Sequence, residues 1–138
     1  MQTFLPYADF EACANVLDWK RLNKQITEGE QILTALNPNT KSNAWKNHPA
    51  VLMWKGYETA LMLYINVMHK VWDEKYAKKT RKNPYFTIEG EVKFPPWLGM
   101  PTLHASHRSN LLRKNKEFYS KFNWSEPSDM EYVWPTKL

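Results

Sequence analysis

From Pro49 to Trp72 the chain carries Val51, Trp54, Ala60, Leu61, Tyr64, Ile65, Met68 and Trp72. Their spacing spreads apolar side chains over nearly every side of a helix, so other elements must wrap around it. That requirement makes the fold class all-α, with this segment at its centre. Lys55, Glu58, His69 and Lys70 interrupt the apolar run. The segment is therefore expected as a core helix and not as a membrane span. Pro49 is favoured at a first helical position, and the periodicity predicts one continuous helix from there.

Around it, Asp9 is placed to cap a short helix bearing Phe10, Cys13, Ala14 and Leu17. A second helix is predicted from Asp18 to Leu36, with Leu22, Ile26, Gly29, Leu33 and Leu36 on one face, ended by Asn37-Pro38-Asn39. Residues 37–48 read as a polar loop, and Lys78 to Pro84 as a basic, helix-breaking one. Phe86 to Phe94 alternates enough for a short strand or hairpin around Glu89-Gly90. A last helix is predicted from Leu103 to Asn115, continuing weakly to Phe122. Trp124, Tyr132 and Trp134 in the irregular tail are expected to fold back onto the body. With 138 residues and 43% hydrophobic content, the expectation is one helical domain over residues 1–138, a compact bundle with long irregular loops.

Several classes are excluded. The lone Cys13 closes no internal disulfide and sits on an apolar stripe, which fits a reducing cytoplasm and a buried thiol. The opening Met1-Gln2-Thr3-Phe4-Leu5 lacks a basic leader and is broken by Pro6, so no signal peptide is expected. Four Gly against nine Pro leave no phosphate loop or dinucleotide fingerprint. Gly-x-Ser-x-Gly, His-Glu-x-x-His and EF-hand patterns are also missing. His104 and His107 stand three apart without a third ligand, so neither a metal nor a cofactor is expected.

The formal net charge of +5 is unevenly spread. Residues 1–70 hold seven Lys/Arg against six Asp/Glu, residues 71–124 eleven against five, and residues 125–138 one against three. A basic block in a chain with 14% aromatics suits a polyanion, since cations displace phosphate counterions and rings stack on bases. Two cationic stretches stand out. In the first, Arg21, Lys24, Gln25 and Glu28 form a helical ridge with Lys20 beside it, able to hold phosphates around one carboxylate. A lysine amine in such a ridge can attack a sugar aldehyde. In the second, Ser106, His107, Arg108, Ser109 and Asn110 follow one another near a helix start, and Arg113 and Lys114 extend the positive face. His107 is the candidate proton carrier. Trp45 in its polar loop and Trp97 after two prolines are the candidates for stacking on a base.

Taken together, Thr3-Phe4-Leu5-Pro6-Tyr7, Leu17-Asp18-x-Lys20-Arg21-Leu22-x-Lys24-Gln25 and Trp45-Lys46-Asn47-His48-Pro49-Ala50-Val51 carry a resemblance. Pro95-Pro96-Trp97-Leu98-Gly99, Ser106-His107-Arg108-Ser109 and Tyr132-Val133-Trp134-Pro135 extend it over nearly the whole chain. The chain resembles a branch of small phage and bacterial proteins grouped with the pyrimidine-dimer DNA glycosylases, of the phage endonuclease V type. The resemblance implies a compact all-α enzyme that flips a nucleotide from kinked duplex DNA. It further implies that an N-terminal amine attacks the sugar C1′, that a Glu in the first long helix assists, and that the imine permits strand cleavage by β-elimination. Two positions depart from that pattern. Gln2 is large, so Met1 is expected to stay and the amine to be displaced by one residue. The expected Glu position near Arg21 holds no carboxylate, which leaves Asp18 and Glu28 as candidates.

The sequence thus reads as a monomeric, cytoplasmic, DNA-acting protein, a base-excising N-glycosylase with AP-lyase chemistry. Glu28, Lys20, Arg21 and His107 are the expected catalytic residues. Lys24, Gln25, Trp45, His48, Trp97, Arg108, Ser109, Asn110, Arg113 and Lys114 are the expected nucleic-acid contacts, with the 78–82 loop tracking the backbone. The partner is duplex DNA with a flipped or modified base; no membrane is involved. Two other readings stay open: a non-catalytic nucleotide-binding module on the same fold, and a phage protein that binds a host protein. The scheme requires the two cationic stretches to meet in one pocket.

Overall fold

A computed structural model describes residues 1–41, 44–76 and 84–135. Helix α1 spans Phe10–Val16, and the Asp9 carboxylate accepts the backbone N–H groups of Glu11 and Ala12 at 2.8 and 3.1 Å. Helix α2 spans Trp19–Leu36 and buries Leu22, Gln25, Ile26, Gly29 and Ile32. Helix α3, Pro49–Leu52, is a single turn started by Pro49 and capped by His48, whose Nδ1 accepts the Ala50 N–H at 3.0 Å. Helix α4 follows over Glu58–Lys75, then α5 over Pro101–Lys114 and α6 over Lys116–Tyr119. A 3-10 turn, Ser120–Phe122, ends at Asn123 in the left-handed conformation.

The continuous helix expected from Pro49 is broken. Gly56 sits at φ +89°, a conformation open to glycine and closed to a continuing right-handed helix. Trp54 in the break is fully buried, and its indole N–H donates to Thr3 Oγ1 at 3.0 Å. The apolar periodicity runs straight through this turn because the turn itself belongs to the core. The strand or hairpin expected at Phe86–Phe94 is not formed: the described residues contain no strand. This segment has no strand to pair with and is held instead by Asn66, whose amide donates to Phe86 O and whose oxygen accepts the Phe86 N–H, both at 2.9 Å. The last helix starts at Pro101 and breaks at Asn115, whose side chain caps α6 by accepting the Phe118 N–H.

Helix α4 is the central element, with Ala60, Leu61, Tyr64, Ile65, Met68, Val71 and Trp72 buried. Helix α2 approaches it at Gly29, where an added Cβ would stand 2.5 Å from Ile65 Cγ1. Only a residue without a side chain allows that contact.

The first residues thread extended between the helices, and side chains satisfy their backbone groups. Gln25 serves Gln2 O and Phe4 N–H, and Tyr64 OH shares its one proton between Phe4 O at 2.8 Å and Gln25 Oε1 at 2.7 Å. His107 Nδ1 accepts the Leu5 N–H at 2.8 Å, while His104 Nδ1 lies 2.7 Å from Leu5 O. Gly99 N–H donates to His104 Nε2, so His104 carries its proton on Nδ1 and donates to Leu5. Arg108 donates to Pro6 O at 2.6 Å.

Both imidazoles hold their places as neutral rings, and this gives the fold a pH dependence. Burial, aided by the neighbouring His104, pushes His107 down to about 3, and burial also lowers His104. The unfolded chain takes up these protons near the ordinary histidine value of about 6.5, where the folded chain still refuses them. Stability is therefore complete above about pH 6.5 and falls as the pH drops towards 3. His107 alone should remove about 2 kcal/mol between pH 7 and pH 5. Urea midpoints at the two pH values check this; equal midpoints would contradict the neutral, buried ring.

Candidate functional site

A cleft of about 400 Å³ opens beside the first residues of the chain. Lys20, Arg21 and Lys24 from α2 and Lys114 from the end of α5 line it, together with Glu28, Met1, Gln2 and Gln25. Phe4 and Tyr132 add aromatic surface. Four cations around one carboxylate make a positive cleft suited to a phosphate chain.

The ridge forms because positions 20, 21, 24, 25 and 28 recur at helical spacing on α2. Glu28 is mostly enclosed, its side chain 12% exposed. Its Oε2 accepts from Gln25 Nε2 at 3.1 Å, and its Oε1 lies 3.9 Å from the freely exposed Lys24 Nζ. Gln25 is 1% exposed, and every polar position of its amide is used. Its Nε2 donates to Gln2 O and Glu28, and its Oε1 accepts from Phe4 N–H and Tyr64 OH, both at 2.7 Å. One buried amide therefore fixes the opening of the chain against the cleft carboxylate. The second candidate carboxylate, Asp18, lies outside the cleft. It pairs with Arg21 at 3.2 Å and accepts from the Tyr119 hydroxyl.

Met1 lines the cleft; burial first, and the charge of the chain's ammonium second, lower the His48 pKa. Tyr132 on the other wall is a neutral phenol, pushed up to about 12 chiefly by burial. The chemistry assembled is a primary amine, one oriented carboxylate, cations and aromatic walls.

Of the expected site residues, Lys20, Arg21, Lys24, Gln25, Glu28 and Lys114 come together here. The two cationic stretches meet, but the second contributes only Lys114. His107 is fully buried behind the wall, with Phe4 and Tyr132 rings against it and Nδ1 occupied by Leu5. A ring so placed supports the fold, with its Nδ1 spent on the chain start. Arg108 makes a two-pronged pair with Glu126 at 2.8 and 3.1 Å besides its bond to Pro6. Ser109 bonds Pro127 O and Met130 N–H; Asn110 donates to Ser106 O and Met130 O; Arg113 donates to Ser128 O and Met130 O. The polar run of α5 thus clamps the tail and the chain start, because buried backbone groups demand partners. Trp97 is buried, edge-on to Trp54, with its indole N–H on Met53 O. Trp45 is exposed and His48 half-buried beside it. The 78–82 loop lies outside the described residues.

Sequence reasoning missed Phe4 and Tyr132 as cleft walls. The signal was the apolar Thr3-Phe4-Leu5-Pro6-Tyr7 opening and the aromatic tail, whose rings are expected from sequence only to fold back onto the body. Among the described residues no group of His, Cys, Asp and Glu could hold a metal ion, and no helix is long and apolar enough to cross a membrane.

Lys114→Ala and Arg108→Ala should part company. Loss of the cleft cation should weaken DNA binding and lower the salt slope by about one. Loss of the clamp should lower the urea midpoint and leave the slope unchanged. Binding isotherms across a salt series decide it, and a reduced slope for Arg108→Ala alone would reverse the assignment.

A family model described as pyrimidine dimer DNA glycosylase matches residues 1–84, the part that contains α1 to α4 and the ridge from Lys20 to Glu28. No curated protein and no solved structure gives a significant match. The family description points to action on DNA, which agrees with a positive cleft. The match covers more than half of the 138 residues, and on that ground the chain belongs to the pyrimidine dimer DNA glycosylase family.

Proposed function

We propose that this chain is a DNA N-glycosylase with AP-lyase activity, working as a cytoplasmic monomer on duplex DNA with an extruded nucleotide. One observation carries the reading: the opening of the chain, Glu28 and four cations share one cleft, and Gln25 bonds both the opening and Glu28. The amine at Met1 attacks C1′, and the bond from C1′ to the base breaks as the base leaves with a proton. Opening of the sugar ring turns the C1′–N link into an iminium. Loss of a C2′ proton then expels the 3′ phosphate. Glu28 stabilises the positive charge that develops at C1′ and is the group placed to accept a proton. Lys20, Arg21, Lys24 and Lys114 hold the flanking phosphates. Extrusion is needed because C1′ is out of reach inside a stacked duplex.

Borohydride trapping tests this with oligonucleotides that carry a cyclobutane pyrimidine dimer, other modified bases or an abasic site. The expected result is a covalent adduct that peptide mapping places on the first residue. An adduct on Lys20, Lys24 or Lys114 would move the nucleophile within the cleft. Salt-sensitive DNA retention without any adduct would leave a binding module. No retention at low salt would leave the protein-binding reading.

A further inference from the structure

Trp45 is the most exposed large apolar side chain of the described residues, at 55%. It also stands at φ +69°, in the left-handed region that a bulky residue occupies only at a cost. Glycine or asparagine would fit that turn better, so the turn does not explain the tryptophan. Strain held at an exposed ring points to a role for the ring.

The ring is braced rather than loose. Its own carbonyl accepts the His48 N–H at 2.9 Å, and the His48 ring meets it edge-on at 5.8 Å. His48 is fixed in turn by its cap bond to Ala50 and by the Trp134 ring at 5.9 Å. Trp134 lies 5.6 Å from Tyr132, which walls the cleft. A continuous run of rings therefore leads from the positive cleft to an outward-facing indole. Rings beside a cationic groove are the arrangement by which proteins hold unpaired bases.

We propose that Trp45 is a stacking platform for an unpaired base of the DNA seated in the cleft. The proposal rests on the DNA-acting reading and adds the class of DNA preferred: duplex with an unpaired base, or single strand, over fully paired duplex. The carbonyl bond fixes the backbone that presents the indole, and the His48 edge backs one side of the ring, which leaves the rest of it open to a base.

The test is equilibrium binding of three DNAs: single strand, duplex with one unpaired 2-aminopurine, and fully paired duplex. Wild type should prefer the first two and should quench the 2-aminopurine as its base stacks. Trp45→Gly should lose about 5- to 100-fold of that preference. Its salt slope should be unchanged, because no phosphate contact is removed. Its Tm should hold or rise, because glycine relieves the left-handed turn. Trp45→Phe, which retains a ring, should preserve most of the preference and the quenching. An unchanged preference in Trp45→Gly would overturn the platform while leaving the glycosylase reading intact. So would a large fall in Tm with the preference retained in the folded fraction. A wild type that binds none of the three DNAs would overturn the DNA-acting reading itself, and the platform with it.

Discussion

Glu28→Gln should reduce base excision by about 10²- to 10⁴-fold while DNA stays bound as tightly as before or more so. The substitution keeps the shape of the side chain and one acceptor oxygen for Gln25, whose Nε2 now lies 3.1 Å from Glu28 Oε2. It removes the one negative charge of a cleft with four cations. Binding of a phosphate chain gains from that loss, since the carboxylate repels phosphate. The chemical step suffers, because the positive charge at C1′ loses its counter-charge and the proton its acceptor. The fold is barely touched: the 3.9 Å contact with exposed Lys24 is worth little in solvent. Single-turnover excision beside anisotropy binding separates the two effects. Excision near the wild-type rate would remove Glu28 from the chemistry.

Much of the helical frame was legible in local chemistry. Asp9 announced α1 by its cap, Asn37-Pro38-Asn39 marked the end of α2, and Pro49 marked a helix start. The ridge from Lys20 to Glu28 was legible because one helix face orders it by spacing alone. The break at Gly56 was not, since apolar residues continue through it at helical intervals. The fold partners of the polar run of α5 were not legible, for a deeper reason. His107 meets Leu5 across 102 positions, and Arg108 meets Pro6 across the same separation. A polar side chain on a helix states that it needs a partner and not whether that partner is a phosphate or the chain's own backbone. Only the path of the first residues through the core decides between them. The same path explains why Gln25, expected on DNA, spends its amide on the chain's own start.

Gln25→Leu should cost about 3–6 kcal/mol of stability, among the largest effects of any single change in this molecule. The leucine fills the space but leaves Phe4 N–H and Gln2 O without their partners in the core, and Tyr64 OH with Phe4 O alone. Gln25→Glu is the sharper probe of position, because it keeps the shape and both acceptor bonds. It removes the donor to Gln2 O and sets a second carboxyl against Glu28. Two carboxyls in contact do not both ionise, so they share a proton at pH values where one alone would be free of it. Excision by Gln25→Glu should fall at least tenfold at pH 7, and the acid limb of its pH–rate profile should move to higher pH. DNA affinity should change little, since Gln25 is 1% exposed and its amide is spent on the chain start and Glu28. A residue that merely fills the core would lower the amount of folded protein without moving the profile. A Gln25→Glu enzyme with the wild-type rate and profile would show that the chain start and the carboxylate need no shared anchor.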